Sequence, residues 1–461
     1  MKNKYTLSLL VILVLVYFES CKKEKLETPL VTSVSHDFES GSIGEAIKLS
    51  NTGWELYLAD DNDNPDLPDK WRNWWYVRME NVNTDSVTKL VLKNRGWPFY
   101  YLPVYSYDNT SWFRFSEDEV SQNQDEELIM QKRFEKQTVW IARFYPYTFS
   151  DLEKYLEGIS GSPFLEIQIP AYTQQNKAMY LLKISNSAIA DSLKNRVFIH
   201  ARSHPGEVPT SFVVEGLVDY LLSASPRATQ ILKNTEFYIF PMHNVDGVIA
   251  GNYRSTPQTE NLEVMWFFDP ENPIDLTADA VQEVNVVHDY AKKLMTDGGP
   301  ALSMALNLHA SNSEPDVRPF FFPHFGPESL GYDSLESSLW SKQLTFIASL
   351  ASNYGVEMLE SVPEEGGSSF TSKTYPESWW WANFSDEVMA ITMETTYGRA
   401  GYSPKWISPG DLRDLGASLA LGIDDYYNGN IDKSLLMQHK KVEGLRYPDL
   451  YPPNDLDELK N

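Results

Sequence analysis

The chain is 461 residues long, more than one hydrophobic core usually supports, so at least two domains are expected. Its 64 acidic residues outweigh 39 Lys and Arg for a formal net charge of −25, the wrong sign for neutralising phosphates, and no nucleic-acid partner is expected. The single cysteine leaves no disulfide framework and no thiolate metal site.

Met1-Lys-Asn-Lys4 is a basic start, and Tyr5 to Phe18 is an apolar run too short for a membrane-spanning helix. It ends in Phe18-Glu19-Ser20-Cys21, and together these pieces resemble a bacterial lipoprotein signal. The expectation is a signal peptide over 1–20, a lipid on Cys21 as the membrane contact, and an extracytoplasmic location. An ordinary signal peptide with an incidental cysteine is the alternative. Residues 21–40 read as a flexible tether.

From 41 to 155 the apolar runs are short and alternating, as in Trp75-Tyr-Val-Arg-Met79, Lys89-Leu-Val-Leu92, Trp112-Phe-Arg-Phe115 and Thr138-Val-Trp-Ile-Ala-Arg-Phe144. Asn, Asp, Pro and Gly break them up, which is the pattern of an antiparallel β-sandwich. Asp60 to Asp69 reads as an acidic loop and Ser121 to Glu127 as another polar break.

The next region alternates strands and helices. Arg196 to His200 reads as a strand and Pro209 to Leu222 as a helix opened by Pro and Ser/Thr, so His204-Pro-Gly-Glu207 lies in a strand-to-helix loop. Leu302 to Leu308 runs straight into His309, and Val388 to Met393 straight into Glu394. Ligands of open α/β sheets bind outside the carboxyl ends of the strands, which would bring these four residues to one edge. Imidazole and carboxylate oxygen are the ligands zinc takes, with a catalytic site supplying three and leaving a fourth position open. The His-x-x-Glu spacing alone decides little, because His36-Asp-Phe-Glu39 repeats it in a polar stretch with no strand before it.

The run Thr235 to Phe240 leads into Asp246-Gly-Val and Gly251-Asn-Tyr-Arg254. With His204 to Glu207, Asn307-Leu-His309 and Met393-Glu-Thr395, this order of motifs resembles the zinc metallocarboxypeptidases of the funnelin type, and most of all their cytosolic-carboxypeptidase branch. The resemblance implies one zinc ion held by His204, Glu207 and His309, Glu394 as general base and acid, and Arg254 as donor to the developing oxyanion. It implies a two-domain fold, with an N-terminal antiparallel β-sandwich followed over 156–430 by an α/β zinc-carboxypeptidase-like domain with a mixed, largely parallel sheet, and a tail over 431–461.

The chain departs from the family at the carboxylate clamp. Where the family has Asp-x-Asn-Arg, the chain reads Asn261-Leu-Glu263-Val264. Val264 offers no bidentate donor and Glu263 would repel a carboxylate, which puts Glu263 at the substrate with a preference for amine-bearing or neutral ends. Asn261 would orient His204 more weakly than an aspartate. In the family a mobile tyrosine before the Glu394 strand contacts substrate, and Tyr375, behind the loop Gly366 to Thr374, is the candidate. His200, His243 and Asp246 read as packing or turn residues, and Trp379-Trp-Trp381 as core. The expected function is zinc-dependent hydrolysis of peptide or peptide-like amides. The alternatives are an amidase or deacylase acting on substrates without a free C-terminal carboxylate, and a non-catalytic protein that retains the metal.

Overall fold

The computed structural model describes residues 31–311, 318–355, 374–398 and 405–429. Among these the chain forms two five-stranded sheets, a seven-stranded sheet and a two-stranded ribbon.

The N-terminal strands are β1 (Ser33–Ser35), β2 (Glu45–Lys48), β3 (Gly53–Tyr57), β4 (Tyr76–Glu80), β5 (Thr88–Lys93), β6 (Val104–Ser106), β7 (Trp112–Arg114), β8 (Val120–Gln122), β9 (Leu128–Lys132) and β10 (Val139–Ala142). They form sheets of order β1-β4-β10-β6-β7 and β2-β3-β5-β9-β8 around a core of Leu56, Trp75, Val77, Met79, Leu92, Phe115, Met130 and Ile141. One pairing departs from the antiparallel expectation: β3 and β5 run parallel, Gly53 opposite Lys89, because the chain crosses to the other sheet to make β4 before returning. A second departure concerns the tether. β1 lies inside residues 21–40 and pairs with β4, a three-residue strand with too short an apolar pattern to read from sequence.

The β4-containing sheet is covered on both faces. Trp75, Val77 and Met79 point into the sandwich, whereas Trp74, Tyr76, Val104 and Phe144 join the core of the following domain. The strict in-out alternation of a free sandwich is therefore lost at Tyr76 and Val77.

The second domain begins with α1 (Phe149–Ile159), whose Thr148 and Asp151 cap each other's backbone N–H groups. Then come β11 (Leu165–Tyr172), β12 (Ala178–Ile184), β13 (Asn195–Ala201), α2 (Pro209–Leu222), α3 (Pro226–Asn234), β14 (Thr235–Phe240), α4 (Val245–Ala250), the ribbon β15 (Phe268–Asp269) and β16 (Asn272–Leu276), α5 (Gln282–Thr296), β17 (Leu302–Ser311), β18 (Phe320–Phe322), α6 (Ser334–Tyr354), α7 (Pro376–Phe384), β19 (Met389–Thr396) and α8 (Pro409–Asn428). The sheet order is β11-β12-β14-β13-β17-β19-β18; the central strands β14, β13, β17 and β19 are parallel and the edges antiparallel.

Helices cover both faces, which is why the parallel strands are nearly continuous apolar runs. On one face α2 and α8 meet through glycines: a Cβ on Gly216 would lie 2.0 Å from the Arg413 carbonyl oxygen, and one on Gly416 2.0 Å from that of Val213. On the other face Trp266, Trp379 and Trp380 pack with α5 residues, so two of the three consecutive tryptophans are core. Among the described residues no helix is long and apolar enough to cross a membrane.

Candidate active site

Adjacent strands β13, β17 and β19 end at the same edge. In register, Ala201 faces Leu308 and His309 faces Glu394, so the parallel pairing sets the histidine beside the glutamate. The loop after β13 is held from within. Arg202, at a left-handed φ of 61°, is buried and donates from Nε to the Pro205 carbonyl at 3.0 Å and from Nη1 to Ser211 Oγ at 2.7 Å. Gly206 lies so close to the next loop that a Cβ would sit 2.4 Å from the Tyr253 ring, and its N–H donates to the Tyr253 carbonyl at 2.8 Å.

His204, Glu207 and His309 converge, with one ligand atom of each within 4.8 Å of the others and all three side chains buried. His204 Nδ1 lies 2.7 Å from Glu207 Oε1, and His309 Nδ1 lies 2.8 Å from Glu207 Oε2. The far nitrogens are anchored: His204 Nε2 to Asn261 Oδ1 at 3.0 Å, and His309 Nε2 to Glu263 Oε2 at 3.1 Å. Acceptors at both Nε2 positions favour the proton there and leave the Nδ1 lone pairs for a cation. Two imidazoles and one carboxylate in this arrangement are a donor set that zinc accepts.

The electrostatics of the cluster couple its three members. Burial would raise the Glu207 carboxyl, but the two imidazoles beside it hold it well below its ordinary range. Burial opposes a charged His309, yet the carboxylates of Glu263 and Glu207 outweigh it and keep the ring protonated well above its ordinary value. His204 shifts the other way, lowered by burial and by the charge of Arg254. A cation entering between them would displace the proton of His309. Glu394, half-buried, has its carboxyl pushed up to about 8 by burial and by the charge of Glu207.

Two residues expected at the substrate are buried. Glu263, expected at the substrate, lies against His309: the 3-10 turn Leu262–Val264 directs its carboxylate to β17, where Oε1 accepts from Asn307 Nδ2 at 2.8 Å and Oε2 meets His309. Tyr375 is 3% exposed at the N-cap of α7, inside the domain rather than on an open loop, because its neighbours Pro376 to Trp380 pack into the core. Arg254 remains at the site, with its guanidinium carbon 6.0 Å from the centre of the Trp71 ring of the N-terminal domain. The Gly366 to Lys373 stretch and Cys21 lie outside the described residues. His36 is exposed, and Glu39 accepts from the Ser150 N–H at 3.0 Å, far in role from a ligand pair.

Sequence reasoning missed Glu377. Its Oε1 accepts from Thr392 Oγ1 at 2.7 Å, its Oε2 has no partner among the described residues, and burial followed by the charge of Glu263 pushes its carboxyl up to about 7. It also missed Asp61 in the N-terminal domain, which takes the backbone N–H groups of Tyr253, Arg254 and Ser255 at 2.6, 2.8 and 2.8 Å. His200, with both ring nitrogens unpartnered among the described residues, is kept neutral by burial, which lowers it to about 3.

Comparison with known proteins bears on the same regions. Residues 34–144 match the cytosolic carboxypeptidase N-terminal domain, and residues 152–273 match the Peptidase M14 zinc carboxypeptidase family. The chain is 30% identical over 244 residues to cytosolic carboxypeptidase 3 of Mus musculus, covering 47% of this chain and 24% of that protein. It is 27% identical over 345 residues to cytosolic carboxypeptidase 6 of Caenorhabditis elegans, covering 70% of this chain and 71% of that one. The match thus spans about a quarter of the mouse relative's length. In solved structures the fold is shared with a metallo-carboxypeptidase from Burkholderia cenocepacia (TM-score 0.71, 20% identity, 87% of this chain and 100% of that chain) and one from Pseudomonas aeruginosa (0.70, 20%, 86% and 99%).

These findings overturn the extracytoplasmic location. That expectation rested on the short N-terminal segment alone, whereas the matched N-terminal domain is that of cytosolic carboxypeptidases and the curated relatives carry the same name. The chain thus carries a region similar to the Peptidase M14 zinc carboxypeptidases behind one similar to the cytosolic carboxypeptidase N-terminal domain.

Proposed function

We propose that the chain hydrolyses peptide or peptide-like amide bonds, with one zinc ion held by His204, Glu207 and His309. The observation that carries this reading is the convergence of those ligand atoms within 4.8 Å at the strand edge where Glu394 stands in register beside His309. Zinc, when bound, supplies a Lewis acid that polarises a carbonyl and lowers the pKa of water. Glu394 takes a proton from the attacking water and passes it to the leaving amine, a role suited to a carboxyl whose pKa burial has raised toward neutrality. Arg254 meets the negative charge that develops on the scissile carbonyl oxygen. Asn261 and Glu263 hold the two imidazoles by their far nitrogens and so fix which nitrogen faces the metal.

Loss of the Asn-Arg clamp supports a second reading, in which the substrate lacks a free C-terminal carboxylate. Val264 cannot pair with one, and Glu263 is committed to Asn307 and His309. The test is metal analysis coupled to a hydrolysis screen of free-acid, C-terminally amidated and lysine-bearing peptides. Turnover confined to free-acid peptides rejects the second reading. No turnover of any peptide-like amide by zinc-loaded protein rejects the first.

A further inference from the structure

The loop that carries Arg254 is not shaped by its own domain alone. Asp61, 4% exposed, sits in a 3-10 turn (Asp61–Asp63) of the N-terminal domain and points its carboxylate into that loop. Oδ1 accepts from the N–H of Tyr253 at 2.6 Å; Oδ2 accepts from the N–H groups of Arg254 and Ser255, both at 2.8 Å, and from Ser255 Oγ at 3.0 Å. Three consecutive backbone N–H groups aimed at one anion form a concave site, here filled by a side chain some 190 residues away in sequence. A buried carboxylate is costly unless its lone pairs are met, and these four donors meet them.

The contacts around it have the same direction. Asn62 is held in the left-handed region (φ 59°) and spans the boundary, its Oδ1 accepting from Asn252 Nδ2 at 2.8 Å and its Nδ2 donating to the Thr256 carbonyl at 2.9 Å. From the same segment, Trp71 lies 6.0 Å from the Arg254 guanidinium, within cation–π range. One stretch of the N-terminal domain thus fixes both the backbone of Arg254 and one side of its guanidinium.

We propose that Asp61 is a positioning residue that aims Arg254 at the reacting carbonyl, so that the N-terminal domain completes the active site of the domain behind it. The proposal rests on the reading of Arg254 as the oxyanion donor. An asparagine at 61 would replace one acceptor oxygen by an N–H donor facing backbone N–H groups, releasing the loop while leaving the metal ligands in place.

The test uses the full chain loaded with zinc and a peptide it cleaves. Asp61→Asn is expected to lower kcat about tenfold or more, with KM within about twofold and zinc content unchanged, since a misaimed oxyanion donor costs transition-state and not ground-state binding. In an Arg254→Ala background the same change is expected to cost less than about twofold, because groups acting through one another are not additive. A fully multiplicative loss in the double variant, or a normal kcat in folded Asp61→Asn, overturns the proposal. An Arg254→Ala enzyme with normal kcat overturns the reading beneath it instead. Should both Asp61→Asn and Asp61→Glu fail to fold, hydrogen exchange on the unaltered chain decides: amides of Tyr253, Arg254 and Ser255 protected like those of the central strands support the latch, and exchange at the rate of an open loop refutes it.

Discussion

Replacing Glu263 separates its two possible roles. Its carboxylate bridges Asn307 Nδ2 at 2.8 Å and His309 Nε2 at 3.1 Å, so Glu263→Ala removes the group that fixes the orientation and tautomer of a metal ligand. Loss of such a partner costs roughly 10- to 100-fold in metal affinity, about 1.4 to 2.8 kcal/mol. The penalty should depend on pH. In the parent, Glu263 helps hold a proton on His309 that an incoming cation must displace, so affinity rises with pH up to the raised pKa of that ring. Without Glu263 the proton is held less firmly, and the loss of affinity shrinks as pH falls. Titration with zinc against a competing chelator between pH 6 and pH 8 measures both effects. Unchanged zinc affinity together with altered substrate preference would refute this reasoning and return Glu263 to the pocket.

Three further outcomes follow from the same geometry. Glu394→Gln should retain zinc and lose about two orders of magnitude or more in kcat, as expected for a positioned acid and base; loss of zinc by that variant, or near-normal turnover, rejects the role. Glu377 has a folded pKa of about 7, above its unfolded 4.5, so the folded chain holds more protons between those values and stability falls as pH rises from about 4.5 to about 7. In chelator-treated protein, Glu377→Gln should be more stable than the parent by up to about 3 kcal/mol at pH 8 and no more stable at pH 4, read from urea midpoints; equal midpoints at pH 8 count against the shift. Val264→Arg should raise kcat/KM for free-acid over amidated peptides by about tenfold, the worth of one charged hydrogen bond, and an unchanged ratio would mean that position 264 does not face the substrate terminus.

What was legible in the sequence was local. The apolar runs ending at His200, His309 and Glu394 correspond to β13, β17 and β19, since parallel strands buried on both faces write themselves as largely apolar runs, here broken only by Ser303, Asn307 and Thr392. The loop 204–207 follows from a strand end and a Pro-opened helix. What was hidden depends on contacts between distant segments. Nothing in Asp60 to Asp69 distinguishes Asp61, read simply as part of an acidic loop, until it meets Tyr253 across the domain boundary. The direction of Glu263 depends on a 3-10 turn, and the parallel pairing of β3 with β5 on a crossover between sheets. The extracytoplasmic expectation failed for a related reason, a terminal segment having been weighed against two whole domains.

The proposed hydrolysis requires His204, Glu207 and His309 to make one metal site. Metal content of the purified chain and of His204→Ala/His309→Ala, measured side by side by elemental analysis after equal exposure to zinc and gel filtration, tests it most directly. About one zinc per parent chain is expected, and almost none in the folded double variant, which keeps only one of the three converging side chains. Stoichiometric zinc retained by the double variant would contradict it.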